Sequence, residues 1–202
     1  MRRWDKFNYI VIDLEGTGGQ EKENEDILEV AAVPIIKRVV KPDSYFHSLI
    51  NPKRPIPKLP WVYIKDEDVK NAPTFDDIKS DLLDFLDGSI LIGHNVNVDW
   101  RLLKRKFPTY NPIIIDTLKL SRRLYSNHQS HKLDDLIDRF KLGDLVKTTK
   151  HMKRHRALYD ATVTSYIFIK IIEEKEIGDI SLNDLVRLCG IATREYKQDS
   201  LF

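Results

Sequence analysis

The chain reads as an α/β domain, with helices layered on a mixed sheet. Two observations predict this. Short apolar runs of strand character dominate the first third, and from residue 89 onward such runs alternate with stripes of helical period. The size agrees: 202 residues, 42% of them hydrophobic, fill one sizeable core and are too few for two comfortable domains.

The elements follow in order. Residues 7–13 form a strand around Asn8-Tyr9-Ile10-Val11-Ile12. Ile27 to Val40 supplies one or two more. Pro34 interrupts that run, and because proline cannot donate to a ladder it should mark a bulge, a strand end or a free edge. Phe46 to Ile50 is a short strand, and Pro52 to Pro60 is a proline-rich surface loop. At Pro73-Thr74-Phe75 the pattern turns helical. Thr74 serves as N-cap, Asp76 and Asp77 lie in the first turn, Ile78, Leu82, Phe85 and Leu86 form the stripe, and Gly88 ends it. Ser89 to Gly93 is an apolar strand and Asn97 to Lys106 a helix; Ile113 to Ile115 is a strand feeding a helix over Thr117 to Tyr125. Leu133, Leu136, Ile137 and Phe140 mark a further helix, and a long one runs from about Ala157 to Glu174. Ser181 to Leu188 suits one more before Gly190 and a polar tail.

Composition narrows the setting. Charged residues make up 32%, but the signs nearly cancel at +2, so net charge alone points to no particular partner. No stretch approaches the ~18 apolar residues of a membrane span, so no membrane association is expected. The start, Met1-Arg2-Arg3 before a short apolar run that leads into acids, is not that of a signal peptide. The single cysteine, Cys189, rules out an intramolecular disulfide and fits a reducing, cytoplasmic setting.

The chemistry lies in the acids. Asp13 and Glu15 are one step apart at the end of the first strand, so they point to the same face as Tyr9 and Val11. Asp99 stands three and four residues before Leu102 and Leu103, which puts it on their inward face. Asp160 precedes Val163, Ile167 and Ile171 by three, seven and eleven residues and heads the same stripe. Two like charges ~4 Å apart cost about 4 kcal/mol at an effective dielectric of ~20. Several such pairs would consume the ~5–15 kcal/mol that keeps a domain folded. The acids therefore protonate, lie apart, or hold metal. An all-oxygen set suits Mg²⁺ or Mn²⁺ better than zinc, for which no Cys/His cluster is visible.

Three segments, Asp13-Leu14-Glu15-Gly16-Thr17-Gly18, Gly93-His94-Asn95-Val96-Asn97-Val98-Asp99 and His155-Arg156-Ala157-Leu158-Tyr159-Asp160, resemble in order and spacing the motifs of the DEDDh exonucleases, the DnaQ-like proofreading group. Ile115-Asp116-Thr117-Leu118 and Lys132-Leu133-Asp134-Asp135-Leu136 extend the likeness, which covers roughly residues 7–175. The resemblance implies a ribonuclease-H-like fold, a mixed five-stranded sheet flanked by helices, with residues 1–176 as the exonuclease domain. Residues 177–202 lie beyond it as a C-terminal helix and tail, expected to pack on the domain through Leu182, Leu185, Val186 and Leu188, with docking on a polymerase as the alternative. The likeness implies a 3′–5′ exonuclease releasing 5′-mononucleotides from single-stranded or frayed DNA ends in proofreading or repair, with a DNA polymerase subunit as a candidate partner. An exoribonuclease acting on short RNA or RNA ends is the alternative. It also implies two divalent cations, Mg²⁺ or Mn²⁺, held by Asp13, Glu15, Asp99 and Asp160. Asp13 would bridge both, Glu15 and Asp160 would serve the ion carrying the attacking water, and Asp99 the other. His155 would be the general base, and Gly16, Thr17 and Asn95 would contact substrate. Two positions depart from the family pattern: Gly16 stands where Thr is common, and Val98 where Phe usually precedes the Asp. Both bear on the substrate pocket rather than on a metal ligand.

Blander readings stand beside these. Asp99 and Asp160 each suit a helix N-terminus by dipole alone. His155 lies in a basic run, Lys147 to Arg156, that is either a solvated loop or a phosphate-tracking patch. His94 and Asn95 suit the turn before residue 97, His128 and His131 lie in a polar loop, and Trp4, Trp61 and Trp100 read as packing residues. Gly16-Thr17-Gly18-Gly19 lacks the Gly-Lys-Ser/Thr ending of a phosphate loop.

Overall fold

Side-chain alternation along one central strand decides which helices cover which face of the sheet. The computed structural model describes residues 2–18, 25–146 and 153–191. Its strands are β1 (Tyr9–Gly16), β2 (Ile27–Ile36), β3 (Val39–Val40), β4 (Phe46–Leu49), β5 (Ile90–Gly93) and β6 (Ile114–Asp116). Its helices are α1 (Asp66–Val69), α2 (Phe75–Leu86), α3 (Asn97–Lys106), α4 (Thr117–Leu124), α5 (Leu133–Arg139), α6 (Ala157–Glu174) and α7 (Leu182–Cys189).

The sheet order is β3-β2-β1-β5-β6, with β4 also paired to β2. β1 runs antiparallel to β2 and parallel to β5, and β5 is parallel to β6, so the sheet is mixed. β4 lies opposite Glu29 to Ala32 and β3 opposite Ile35 and Ile36, both on the β2 edge away from β1. Six strands thus fill five positions, the outermost being divided. Pro34 falls in that division. Its carbonyl accepts from the Lys41 N–H on the outer edge, so its missing donor faces the same way and its pairing opposite Ile10 is undisturbed.

Tyr9, Val11, Ala31, Val33, Ile92 and Ile115 share a core with α4, α5, α6 and α7 on one face. Ile10, Ile12, Leu14, Val30, Leu91 and Ile114 pack with α2 and α3 on the other. The long helix α6 is the spine of the first layer, with Trp4, Tyr9 and Phe168 in mutual ring contact at the end away from Asp160. α7 adds Leu182, Leu185 and Cys189 to the same core. A small third cluster, Leu28, Ile56, Ile64 and Val69, pins the 50–65 loop and α1 to β2.

The expected elements are present with shifted ends. Thr74 caps α2, its hydroxyl accepting from the Asp77 N–H while the Thr74 N–H donates to Asp77 at 2.7 Å. β1 continues to Gly16 rather than stopping at Asp13, because β2 keeps pairing with it past both acids. α1 was not foreseen: it is one turn closed by Lys65 and Asp68, too short for hydrophobic periodicity to register. No described helix is long and apolar enough to cross a membrane.

Gly93 ends β5 against the turn that leads to α3. A Cβ there would lie 2.8 Å from Val96 Cβ and 3.2 Å from the Ile12 carbonyl oxygen, neither of which swings away. Gly93→Ala is expected to lower the unfolding free energy by about 1–3 kcal/mol in urea denaturation; an unchanged midpoint would show that this corner yields.

Candidate active site

The face that β1 turns toward α6 is apolar at Tyr9 and Val11 and acidic at Asp13 and Glu15, as alternation requires. α6 brings Asp160 to the same place from its first turn. One carboxylate oxygen from each of Asp13, Glu15 and Asp160 lies within 4.8 Å of the others. Asp99 stands outside that group of three and arrives from the opposite layer, on α3. It is 7% exposed, and its Oδ1 accepts from the Leu14 N–H at 2.8 Å. That N–H lies beyond the last β1 residue paired to β5, so Asp99 caps a backbone donor that the ladder leaves over, directly between the two β1 acids.

The acids feel one another. Burial pushes the Asp13 carboxyl well up, and the charges of Asp99, Asp160 and Glu15 push it further. Burial raises Glu15 to about 8, helped by Asp160 and Glu29. Burial raises Asp99 and Asp160 to about 7 each. For Asp99 the backbone hydrogen bond from Leu14 pulls the other way, as the one from His155 does for Asp160. A crowded, desolvated, all-oxygen donor set of this kind fits a hard divalent cation.

One buried ion pair fixes the geometry, and it was missed in the sequence. Glu29 on β2 is paired across from Glu15 and is fully buried. It accepts two hydrogen bonds from the Arg156 guanidinium, at 2.8 and 2.9 Å, one from the Ala157 N–H at 3.2 Å, and stands 2.7 Å from His47 Nε2. Burial alone would raise its pKa, but the hydrogen bonds from His47 and Arg156 and the Arg156 charge hold it below the ordinary value. The start of α6 is thereby clamped to the sheet beside Glu15. An apolar strand with one acid in its middle, Ile27-Leu28-Glu29-Val30-Ala31, was the available signal, since a buried acid needs a cation.

The remaining expected residues divide. Asn95 is exposed at φ 59°, in a left-handed turn held by its N–H to the Asp116 carboxylate. His94 Nδ1 lies 2.9 Å from Thr117 Oγ1, whose own proton goes to the Gly93 carbonyl, so the histidine donates. Thr17 does not present its side chain to the site: it is 1% exposed, and its hydroxyl accepts from the Asp26 N–H. The space that a side chain at Gly16 would fill is taken by the Glu25 carboxylate, which also pairs with Arg101. His155 is exposed at φ 63° and lies against Tyr63, outside the three-acid group. In the basic run, residues 147–152 lie outside the described ones; Arg156 is buried on Glu29, and Arg154 pairs with Asp134 and Asp138. Arg156 is therefore turned away from any phosphate-tracking patch, whereas Arg154 stays 46% exposed beside its two acids. Trp61, expected as a packing residue, is 59% exposed, with one edge of its ring against Gly18. A cavity of about 500 Å³ opens from Asp13 past Asn95 to Arg122, His131 and Lys132, so His131, expected as an ordinary loop residue, borders the site.

Carboxylates gathered where a mixed sheet meets the start of a long helix define a nuclease-type acid site on a ribonuclease-H-like fold. The exonuclease family profile matches residues 10–168, and this chain belongs to that family, as a DEDDh, RNase T-like exonuclease domain. It is 33% identical over 184 residues to a DNA polymerase III PolC-type from Caldanaerobacter subterraneus subsp. tengcongensis, covering 88% of this chain and 12% of the relative. It is 30% identical over 192 residues to the 3′-5′ exonuclease DinG of Bacillus subtilis, covering 91% of this chain and 20% of that protein. The chain thus spans no more than a fifth of the length of these curated relatives. The structure of exonuclease X in complex with 5′ overhanging duplex DNA superposes with a TM-score of 0.67 and 27% identity, over 88% of this chain and 98% of that one.

Two outcomes are expected. From the ordinary carboxyl values of 3.8–4.5 up to about 7–8, the folded, metal-free protein holds protons that the unfolded chain has released. Its stability therefore falls as pH rises through that window, by on the order of a few kcal/mol. Melting curves should show this. Asp13→Asn should raise the metal-free Tm at pH 8, and Mn²⁺ should raise the wild-type Tm more than that of the variant. A metal-free Tm that climbs with pH would contradict the crowding. Separately, Glu29→Gln strands the Arg156 charge and should cost about 3–5 kcal/mol in denaturant unfolding; a cost below ~1 kcal/mol would show that the clamp is not structural.

Proposed function

We propose that this chain hydrolyses phosphodiester bonds at the 3′ end of DNA in a metal-dependent reaction, releasing 5′-mononucleotides. The meeting of Asp13, Glu15 and Asp160 within 4.8 Å, with Asp99 bonded to the backbone between the first two, carries this reading. Asp13, Glu15, Asp99 and Asp160 would hold two divalent cations, Mg²⁺ or Mn²⁺. When bound, these supply Lewis acidity and charge neutralisation for the attacking and leaving oxygens. Asp13 would be the central ligand, lying with Glu15 and Asp160 and next to Leu14, whose N–H bonds Asp99. His155, exposed and with its backbone N–H bonded to the Asp160 carboxylate, accepts at a ring nitrogen the proton that the attacking water gives up. Asn95 lines the cavity beside Asp13, where Arg122 and Lys132 offer positive charge to the phosphates of the incoming strand. At Gly16 substrate would meet the backbone beside the Glu25 carboxylate, which fills the space a side chain would take.

DNA is favoured because exonuclease X is seen with DNA and the PolC-type relative is a DNA polymerase. We extend the reading to proofreading or repair, with a polymerase as partner, on the same ground. We take residues 1–176 as the exonuclease domain and 177–202 as an added helix and tail, and a cytoplasmic setting from the single cysteine.

The test uses purified protein with Mn²⁺ or Mg²⁺ and three 5′-labelled substrates: single-stranded DNA, 3′-mispaired duplex DNA and a matched RNA. A ladder shortening from the 3′ end is expected, lowered by roughly a thousandfold in Asp13→Ala. Faster cutting of the mispaired end supports proofreading, and faster cutting of RNA overturns the DNA assignment. Equal behaviour of wild type and Asp13→Ala would overturn the enzymatic reading itself.

A further inference from the structure

The 50–65 loop reaches across to the segment that precedes α6 and there makes a contact that no core packing enforces. The Tyr63 ring lies flat on the His155 imidazole, with centroids 4.8 Å apart and planes inclined by 13°. Tyr63 is 52% exposed and His155 is exposed too, so neither ring is driven into place by burial. The backbones beneath them are both held. Tyr63 sits between Val62 and Ile64, which pack with Leu28 on β2. At His155 the backbone is in the left-handed region, its N–H hydrogen-bonds the Asp160 carboxylate, and the next residue, Arg156, is locked on Glu29. What remains free at His155 is rotation of its side chain, and Tyr63 lies across the ring that would rotate.

We propose that Tyr63 is a positioning residue: its ring fixes the orientation of the His155 imidazole at the mouth of the acid site. This rests on the reading of His155 as general base. A near-parallel, offset stack is a geometry in which two such rings attract each other. A base whose ring is already oriented loses less freedom on reaching the transition state than one that must be captured from solvent. The contact acts through His155, so it should appear in turnover rather than in affinity.

The test is steady-state kinetics on a single-stranded oligodeoxynucleotide with Mn²⁺, for wild type, Tyr63→Phe, Tyr63→Ala, His155→Ala and the double variant Tyr63→Ala/His155→Ala. Tyr63→Ala is expected to lower kcat roughly three- to tenfold with KM unchanged. Tyr63→Phe, which keeps the stack, should stay within about twofold of wild type. In the His155→Ala background, removing Tyr63 should have no further effect. A rise in KM at constant kcat would overturn the proposal and make Tyr63 a substrate contact. An equal loss in both backgrounds would overturn it in favour of a general structural effect. If His155→Ala matches wild type, the general-base reading fails and this inference falls with it. If His155→Ala is inactive while Tyr63→Ala matches wild type, the positioning role alone falls.

Discussion

The salt bridge between Glu29 and Arg156 is the interaction on which the site depends. It joins the start of β2 to the residue before α6, and a third hydrogen bond ties the Ala157 N–H to the same carboxylate. Glu29 stands opposite Glu15 in the β1–β2 register. Holding Arg156 there sets the start of α6 beside the acidic end of β1 and determines where Asp160 and His155 can be. A buried pair of this kind contributes little to net stability against an apolar alternative, but removing one partner leaves an uncompensated charge. It therefore acts as a geometric constraint more than as a source of stability.

That constraint works against a repulsion. Asp13, Glu15 and Asp160 are held close although Asp160 and Glu15 raise the proton affinity of Asp13, and Asp160 raises that of Glu15. Nothing in local propensity would bring three carboxylates together; the β1–β2 ladder, the α6 clamp and the Asp99 bond to Leu14 do so jointly. Sites that hold charges in unfavourable proximity are where function is expected, because the fold spends stability there.

Much of this was legible in residue patterns. Alternation along β1 placed Asp13 and Glu15 on the face of Tyr9 and Val11, and the helical spacing of Asp160, Val163, Ile167 and Ile171 placed that acid at the head of a core-facing stripe. Thr74 and Asp77 announced the start of α2 by capping chemistry. The misreadings share one cause. Arg156 read as part of a solvated or phosphate-tracking charge run and is buried, Thr17 read as a substrate contact and turns its hydroxyl to the Asp26 N–H, and Trp61 read as a packing residue and is 59% exposed. Each depends on how the folded chain surrounds the residue, and the periodicity of its own segment does not encode that. The same holds for the space at Gly16, which Glu25 occupies.

Residue patterns alone carried the order of the strands and of every helix but α1, the faces that Asp13, Glu15 and Asp160 take on their own elements, and the family likeness of three separated motifs. These follow from periodicities of two and 3.6 residues, which act over a few neighbours. The folded chain alone sets that Asp99 bonds the β1 backbone between Asp13 and Glu15, that Glu29 and Arg156 clamp α6, and that Tyr63 lies on His155. Those contacts join residues 85, 127 and 92 positions apart, counting 99 less 14, 156 less 29 and 155 less 63. At such separations the folded backbone, not the neighbouring sequence, sets which groups meet.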